Sequence, residues 1–201
     1  MNGNTMYRTA IIQKMEENNN ILTASQLLEL GMSKMALTNY VRSGFLVRLA
    51  HGYYALSETV EDDMFLLGQR FSYIVFSHET ALFLNGLSNR APFVHSVTIP
   101  SNTSLPSSMN GEYKCYYVKP ELHRVGVIKQ QTTFSHTVTC YNPERTMCDI
   151  IHSRHRMDDE TVIAALKNYA HYSHKDLIKL GEYAQMFNVE RKLREYMELL
   201  L

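Results

Sequence analysis

A chain of 201 residues has room for one large domain or two small ones. Apolar residues make up 45% and charged residues 20%, an ordinary globular composition that argues against disorder and supplies enough apolar surface for real cores. Twenty Lys/Arg balance twenty Asp/Glu, which excludes a polycation, so any positive charge meant for nucleic acid has to be local.

Residues 5–18 are expected to form the opening helix, with Tyr7, Ile11 and Met15 at four-residue spacing and Ile12 widening the stripe. Asn18, Asn19 and Asn20 end it. In residues 22–56 a helix, a glycine turn, a second helix and a short hairpin follow one another. Thr23-x-x-Gln26 reads as a capping box, Ala24, Leu27 and Leu28 recur at helical spacing, and Gly31 turns the chain. Ser33 caps the second helix, which runs to about Ser43 and stops at Gly44.

That second helix has two faces. Ala36, Leu37, Tyr40 and Val41 fall in one arc; Lys34, Met35, Thr38, Asn39 and Arg42 fill the opposite one. The second set suits base edges: Arg or Lys for guanine, Asn for adenine, methyl groups for thymine. Residues 31–57 contain three Lys/Arg and no Asp or Glu, which favours phosphate neutralisation. Residues 46–50 and 53–56 are β-prone runs around His51-Gly52, with Arg48, His51 and Tyr53 at or near the tip. The order is that of a winged helix-turn-helix, which places its second helix in the DNA major groove. Ser33, Lys34, Met35, Thr38, Asn39, Arg42, Arg48, His51 and Tyr53 are the expected DNA-binding residues. The plainer alternative is an amphipathic helical hairpin that binds protein.

Glu58, Glu61, Asp62 and Asp63 read as a solvated start to a helix reaching about residue 71, not as a metal site. The domain boundary is placed there: 1–57 for the winged module and 58–201 for a larger domain. Ser77-His78-Glu79-Thr80 opens a helix over residues 81–85, stopped by Gly86, and Pro92 closes the next loop. Strands are expected at 94–99, 113–119, 126–129 and 137–141, with an exposed, mobile Ser/Pro/Asn-rich loop at 100–111.

Asn142-Pro143-Glu144 is a helix start, and Met147, Cys148, Ile150 and Ile151 carry that helix to about His155. Asp158 caps a further helix, Ser173-x-x-Asp176 another, and a last one runs from about Val189 to the end with Leu193, Tyr196, Met197 and Leu200 on its apolar side. The fold class is α+β: an N-terminal winged helix-turn-helix, then a larger α+β domain with a small, mainly antiparallel sheet and a C-terminal helical bundle.

The search for chemistry is negative. Cys115, Cys140 and Cys148 form no C-x-x-C pair, and their odd count without a secretory signal points to a reduced cytoplasmic setting and a chain that begins with its folded part. An apolar run of about 18 residues, as a membrane span needs, is absent. His152 and His155 lie three apart with Cys148 one turn earlier, but Arg154 and Arg156 beside them oppose a cation. No nucleophile elbow, P-loop or dinucleotide fingerprint occurs. No catalytic residue, metal or cofactor is expected. Arg145, Arg154, Arg156, Lys167, Lys175 and Lys179 lie on three successive predicted helices. They are either a solvated surface balanced by acids or a second basic face that tracks a nucleic-acid backbone.

Beyond the helix-turn-helix, Ser77-His78-Glu79-Thr80-Ala81-Leu82, Asn85-Gly86-Leu87-Ser88-Asn89-Arg90-Ala91-Pro92, Val97-Thr98-Ile99-Pro100 and Tyr141-Asn142-Pro143-Glu144-Arg145-Thr146-Met147-Cys148-Asp149 resemble the AbiEi antitoxins of bacterial abortive-infection systems. The resemblance covers nearly the whole chain, and the Pro-Glu-Arg-Thr segment is its most specific piece. It implies a type IV toxin–antitoxin pair: an autorepressor of inverted-repeat promoter DNA that also neutralises an AbiEii-type nucleotidyltransferase-like toxin without a stable complex. It implies DNA recognition by the N-terminal domain and antitoxicity by the C-terminal one. A monomer or weak dimer, cooperative on DNA, fits such operators. The competing functions are a ligand-sensing repressor without antitoxicity and an enzyme that acts on the toxin.

Overall fold

A computed structural model describes residues 3–106 and 111–200. Residues 107–110 of the expected loop and Leu201 of the expected last helix lie outside the described residues. The chain divides into two compact units, Met1–Ser72 with Thr132–His136, and Tyr73–Gln131 with Thr137–Leu201. The first is therefore larger than the winged module alone: residues 58–72 and 132–136 cluster with it.

In the first unit, helix α1 (Gly3–Glu16) ends where Asn19 and Asn20 take left-handed φ values of 53° and 67°, a conformation asparagine tolerates. Strand β1 (Leu22–Thr23) leads into α2 (Ala24–Glu29), which starts at the expected capping box: the Gln26 N–H donates to Thr23 Oγ1 at 3.2 Å, and the Thr23 N–H to Gln26 Oε1 at 2.8 Å. Gly31, at φ 85°, turns the chain toward α3 (Lys34–Arg42). Strands β2 (Leu46–Ala50) and β3 (Tyr53–Leu56) form the hairpin, turning at Gly52, and the sheet order is β1-β3-β2 with antiparallel pairing. Ile11, Met15, Leu22, Leu27, Met32, Leu37, Tyr40 and Leu46 make one apolar core.

Helix α4 (Asp63–Arg70) corrects one expectation. Glu58, Glu61 and Asp63 are exposed, but Asp62 is not solvated: it is 1% exposed and caps α4 through the Phe65 N–H at 3.1 Å. Its other oxygen accepts the Thr132 hydroxyl and faces His136 Nδ1 at 2.7 Å. His136 in turn stacks on Phe65, ring centroids 4.5 Å apart, and reaches the Asn19 carbonyl with Nε2 at 3.0 Å.

The second unit is built on five strands: β4 (Val75–Phe76), β5 (Ser96–Pro100), β6 (Lys114–Val118), β7 (Val127–Gln131) and β8 (Thr137–Tyr141), in the order β6-β5-β4-β8-β7. The sheet is mixed, not mainly antiparallel: β4–β5 and β7–β8 pair antiparallel, β5–β6 and β4–β8 parallel. The short turn after β7 forces an antiparallel return, whereas the long connection from β5 to β6 allows a parallel crossover, and β4 meets β8 in parallel with β5, β6 and β7 between them in sequence. The central strand β4 has only two residues and carries no alternating pattern that would announce it.

Helix α5 (His78–Leu84) starts three residues earlier than expected, on His78 itself, and stops before Gly86. Asn142 caps α6 (Pro143–His152) through the Arg145 N–H at 2.9 Å, and Asp158 caps α7 (Asp159–His171) through the Thr161 N–H at 2.8 Å. The cap of α8 (Leu177–Met186) is Asp176, which accepts the Lys179 N–H at 3.0 Å, and not Ser173. The last described helix is α9 (Glu190–Leu200). Helix α6 packs on α5, α7, α8 and α9, so its buried residues Met147, Cys148, Ile150 and Ile151 join Leu82, Leu166, Tyr169 and Phe187 in the core. No helix among the described residues is long and apolar enough to cross a membrane.

Candidate nucleic-acid interface

Helix α3 is fixed from beneath. Leu37 and Tyr40 are buried, and Tyr40 meets Phe45 with ring centroids 5.4 Å apart. The Tyr7 hydroxyl donates to the Gly31 carbonyl at 3.0 Å, and the Arg8 guanidinium lies 4.7 Å over the Phe45 ring. These contacts leave one face out. Lys34, Met35, Thr38, Asn39 and Arg42 are all exposed, Met35 to 75%. Lys34 and Arg42 have no acidic partner among the described residues.

Not every expected contact is equally free. Ser33 is exposed, but its oxygen already accepts the Ala36 N–H at 3.1 Å as the cap of α3. The Thr38 hydroxyl donates back to the Lys34 carbonyl at 3.0 Å, which leaves its methyl as the outward group. On the hairpin, Arg48 and His51 are exposed and paired, Nη2 to Nδ1 at 2.9 Å, and Arg48 Nε also donates to Ala50 O at 3.4 Å. Tyr53 is half-buried: its hydroxyl donates to Gln69 Oε1 at 2.6 Å, and its ring stands edge-on to Phe65. It braces the hairpin.

A feature the sequence pattern did not announce lies beside this face. A groove of about 460 Å³ runs between α2, α3 and the hairpin, with Lys34, Arg42 and Arg48 among its lining residues and no acid lining it among the described residues. Its lining residues come from four elements, α2, α3, β2 and β3, so no single helical or strand pattern marks it.

The second basic set does not form one face. Arg145 is a core residue, 1% exposed: Nε donates to Asp149 Oδ1 at 2.8 Å, and Nη1 to the carbonyls of Leu122 and Val125 at 3.0 and 3.1 Å. The Tyr141 and Phe187 rings lie 4.2 and 3.7 Å from its guanidinium carbon. Arg154 pairs with Asp159 at 3.1 Å and Lys179 with Asp176 at 3.2 Å. Arg156 covers the Tyr116 ring and donates to Cys115 O, and Lys175 donates to Tyr172 O. Only Lys167 of the six has neither an acidic nor a carbonyl partner among the described residues. Arg145 is thus interior, Arg154 and Lys179 are acid-paired, and Arg156 and Lys175 are bonded to carbonyls.

The candidate chemistry separates in the same way. Cys148 is fully buried and its thiol is pushed up to about 12 by burial, whereas His152 and His155 are exposed. Among the described residues no group of three metal-ligating side chains comes together. A buried polar group does appear around His78, whose φ of 48° is unusual outside glycine. Its ring stacks 3.4 Å from that of Tyr116, and its nitrogens meet Ser77 Oγ at 2.9 Å and Ser153 Oγ at 3.0 Å. Burial drives its pKa well below 6.5. The group is closed to solvent and so holds the fold together. The segments that carry the family resemblance, around Ser77–His78 and Glu144–Arg145, are therefore interior.

Residues 11–57, from the middle of α1 through β3, match a family model described as "Transcriptional regulator, AbiEi antitoxin". Comparison with curated proteins returns no match. Among solved structures, the RV2827C protein from Mycobacterium tuberculosis is similar with a TM-score of 0.56 at 14% identity, over 97% of this chain and 80% of that one. At that identity the likeness is one of fold.

Proposed function

We propose that this chain is a transcriptional autorepressor and antitoxin. It binds inverted repeats in its own promoter through α3 and the β2–β3 hairpin, and it neutralises a cognate nucleotidyltransferase-like toxin without a stable complex. One observation carries the DNA reading: α3 turns Lys34, Met35, Thr38, Asn39 and Arg42 outward together, in a segment without a single acid. A helix N-terminus plus two flanking cations positions the element on phosphates, while the amide and the apolar tips read base edges. Arg48 and His51 on the hairpin supply a further backbone contact. The family description matched by residues 11–57 supports both roles, and it favours regulation over catalysis.

The roles separate by point substitution in the full chain. Arg42→Ala is expected to weaken promoter binding by roughly 1–3 kcal/mol in a gel-shift titration at fixed salt. The same variant is expected to protect cells that express the toxin as well as the unaltered chain does. Unchanged promoter affinity overturns the assignment of α3, and failure of the unaltered chain to protect overturns the antitoxin role.

A further inference from the structure

We propose that the groove between α2, α3 and the hairpin is a regulatory site for a small amphiphilic carboxylate, and that its occupation excludes DNA. The exclusion rests on the DNA reading above; the binding does not. The groove's volume of about 460 Å³ lies within the range of about 300–1,000 Å³ in which small-molecule sites fall.

Its chemistry is divided. Ala24, Leu28, Leu37, Val41 and Tyr54 give an apolar wall supplied by α2, α3 and β3. Lys34 opens α3, Arg42 closes it and Arg48 stands on β2, so three cations come to one groove from two elements. Lys34 and Arg42 have no acidic partner among the described residues, and the Arg48 fork is already held by His51 and the Ala50 carbonyl. Three cations without a carboxylate repel a cationic ligand and leave a neutral one without its strongest contact. An inorganic anion meets the cations but leaves the half-buried Ala24, Leu28, Val41 and Tyr54 wet. A molecule with an apolar body and one anionic head meets both halves.

The three cations are also ones the DNA reading assigns to the duplex. A carboxylate held by any one of them takes a contact that a phosphate would otherwise make. Ligand and promoter therefore compete.

Decanoate below its micellar concentration and 1-naphthoate are suitable probes, titrated calorimetrically into the full chain, with decanol and acetate as body-only and head-only controls. One-to-one saturable binding of at least one carboxylate is expected, with both controls at least about tenfold weaker. Ala24→Leu fills the apolar side without touching a cation and is expected to abolish that binding while keeping promoter affinity. Leu28→Gln, which makes the same wall polar, serves if Ala24→Leu fails to fold. Binding of neither carboxylate, equal binding of a control, or undiminished binding to both variants overturns the site. Displacement of a labelled promoter duplex, read by fluorescence anisotropy at fixed salt, tests the competition. A chain that takes a carboxylate and the duplex independently overturns the exclusion. One that takes the duplex and no carboxylate overturns the site alone, and one that takes a carboxylate and no duplex overturns the DNA reading and leaves the site standing.

Discussion

Gly126 lies against Arg145 so closely that a Cβ on the glycine would stand 2.7 Å from the arginine Cβ and 3.2 Å from Asn142 Oδ1. Its φ of 76° adds a conformation that other residues avoid. Both the turn before β7 and the start of α6 depend on this approach, because the Gly126 carbonyl accepts the Asn142 N–H at 2.8 Å.

Gly126→Ala is therefore expected to destabilise the chain by the strain of a left-handed alanine, roughly 1–3 kcal/mol, plus the displacement of Arg145. Gly86→Ala isolates the first part, since Gly86 has a similar φ of 69° and nothing within 4 Å of its added carbon. Urea unfolding of both variants checks this: equal losses would show that Arg145 gives way freely.

Arg145 itself works by its fork. Replacing it with Ala strands Asp149, an acid whose pKa is raised by burial and lowered again by this arginine. The expected cost is about 3–5 kcal/mol, that of breaking a buried pair. Arg145→Lys should recover only part of it, because a single ammonium cannot serve Asp149, Leu122 O and Val125 O in the geometry of a planar guanidinium. Thermal unfolding of the two variants provides the comparison.

Stability should fall on mild acidification. Burial lowers the folded-state pKa of His78 and of His123 below the ordinary 6.5, so the folded chain holds fewer protons there than the unfolded one. Their contribution is complete above about pH 6.5 and is lost as pH falls toward the folded values, at up to about 1.4 kcal/mol per pH unit for each histidine. Asp149, raised from 3.8, acts in the opposite sense near its own lower range. His78→Asn keeps a residue that tolerates the left-handed backbone and should flatten the unfolding free energy between pH 6.5 and 5. An unaltered slope would exclude His78 as its source.

On the DNA side, Lys34 and Asn39 should separate charge from readout. Lys34→Ala is expected to weaken promoter and random duplexes alike and to lower the salt slope by about one. Asn39→Ala should cost roughly 1–3 kcal/mol on the promoter only. Anisotropy titrations across a salt series distinguish the two, and identical behaviour of the variants would remove Asn39 from base readout.

Local signals were the legible ones. The capping box at Thr23, the caps at Ser33, Asn142 and Asp158, and the glycine turns at 31, 44 and 52 are written within four residues of where they act. The two faces of α3 follow from its period alone. What could not be read depends on partners distant in sequence. Asp62 looks like one of four solvated acids, and only Thr132 and His136, 70 and 74 residues later, make it a core residue. Arg145 sits in a basic list until the Leu122 and Val125 carbonyls close around it. The parallel pairing of β4 with β8 joins segments about 60 residues apart through one pair of residues, Phe76 and Cys140, too short a register for any pattern to mark.

The Asp62–His136 pair has a practical consequence for dissecting the protein. Residues 132–136 complete a unit whose remainder ends at Ser72, so its sequence is discontinuous and no single cut releases it whole. A fragment that stops at residue 57 lacks α4, and one that stops at residue 72 keeps Asp62 but loses the histidine and threonine that meet its carboxylate. The complementary fragment carries His136 without its acid. The unit that carries the winged module is thus compact in space but not a separable length of chain.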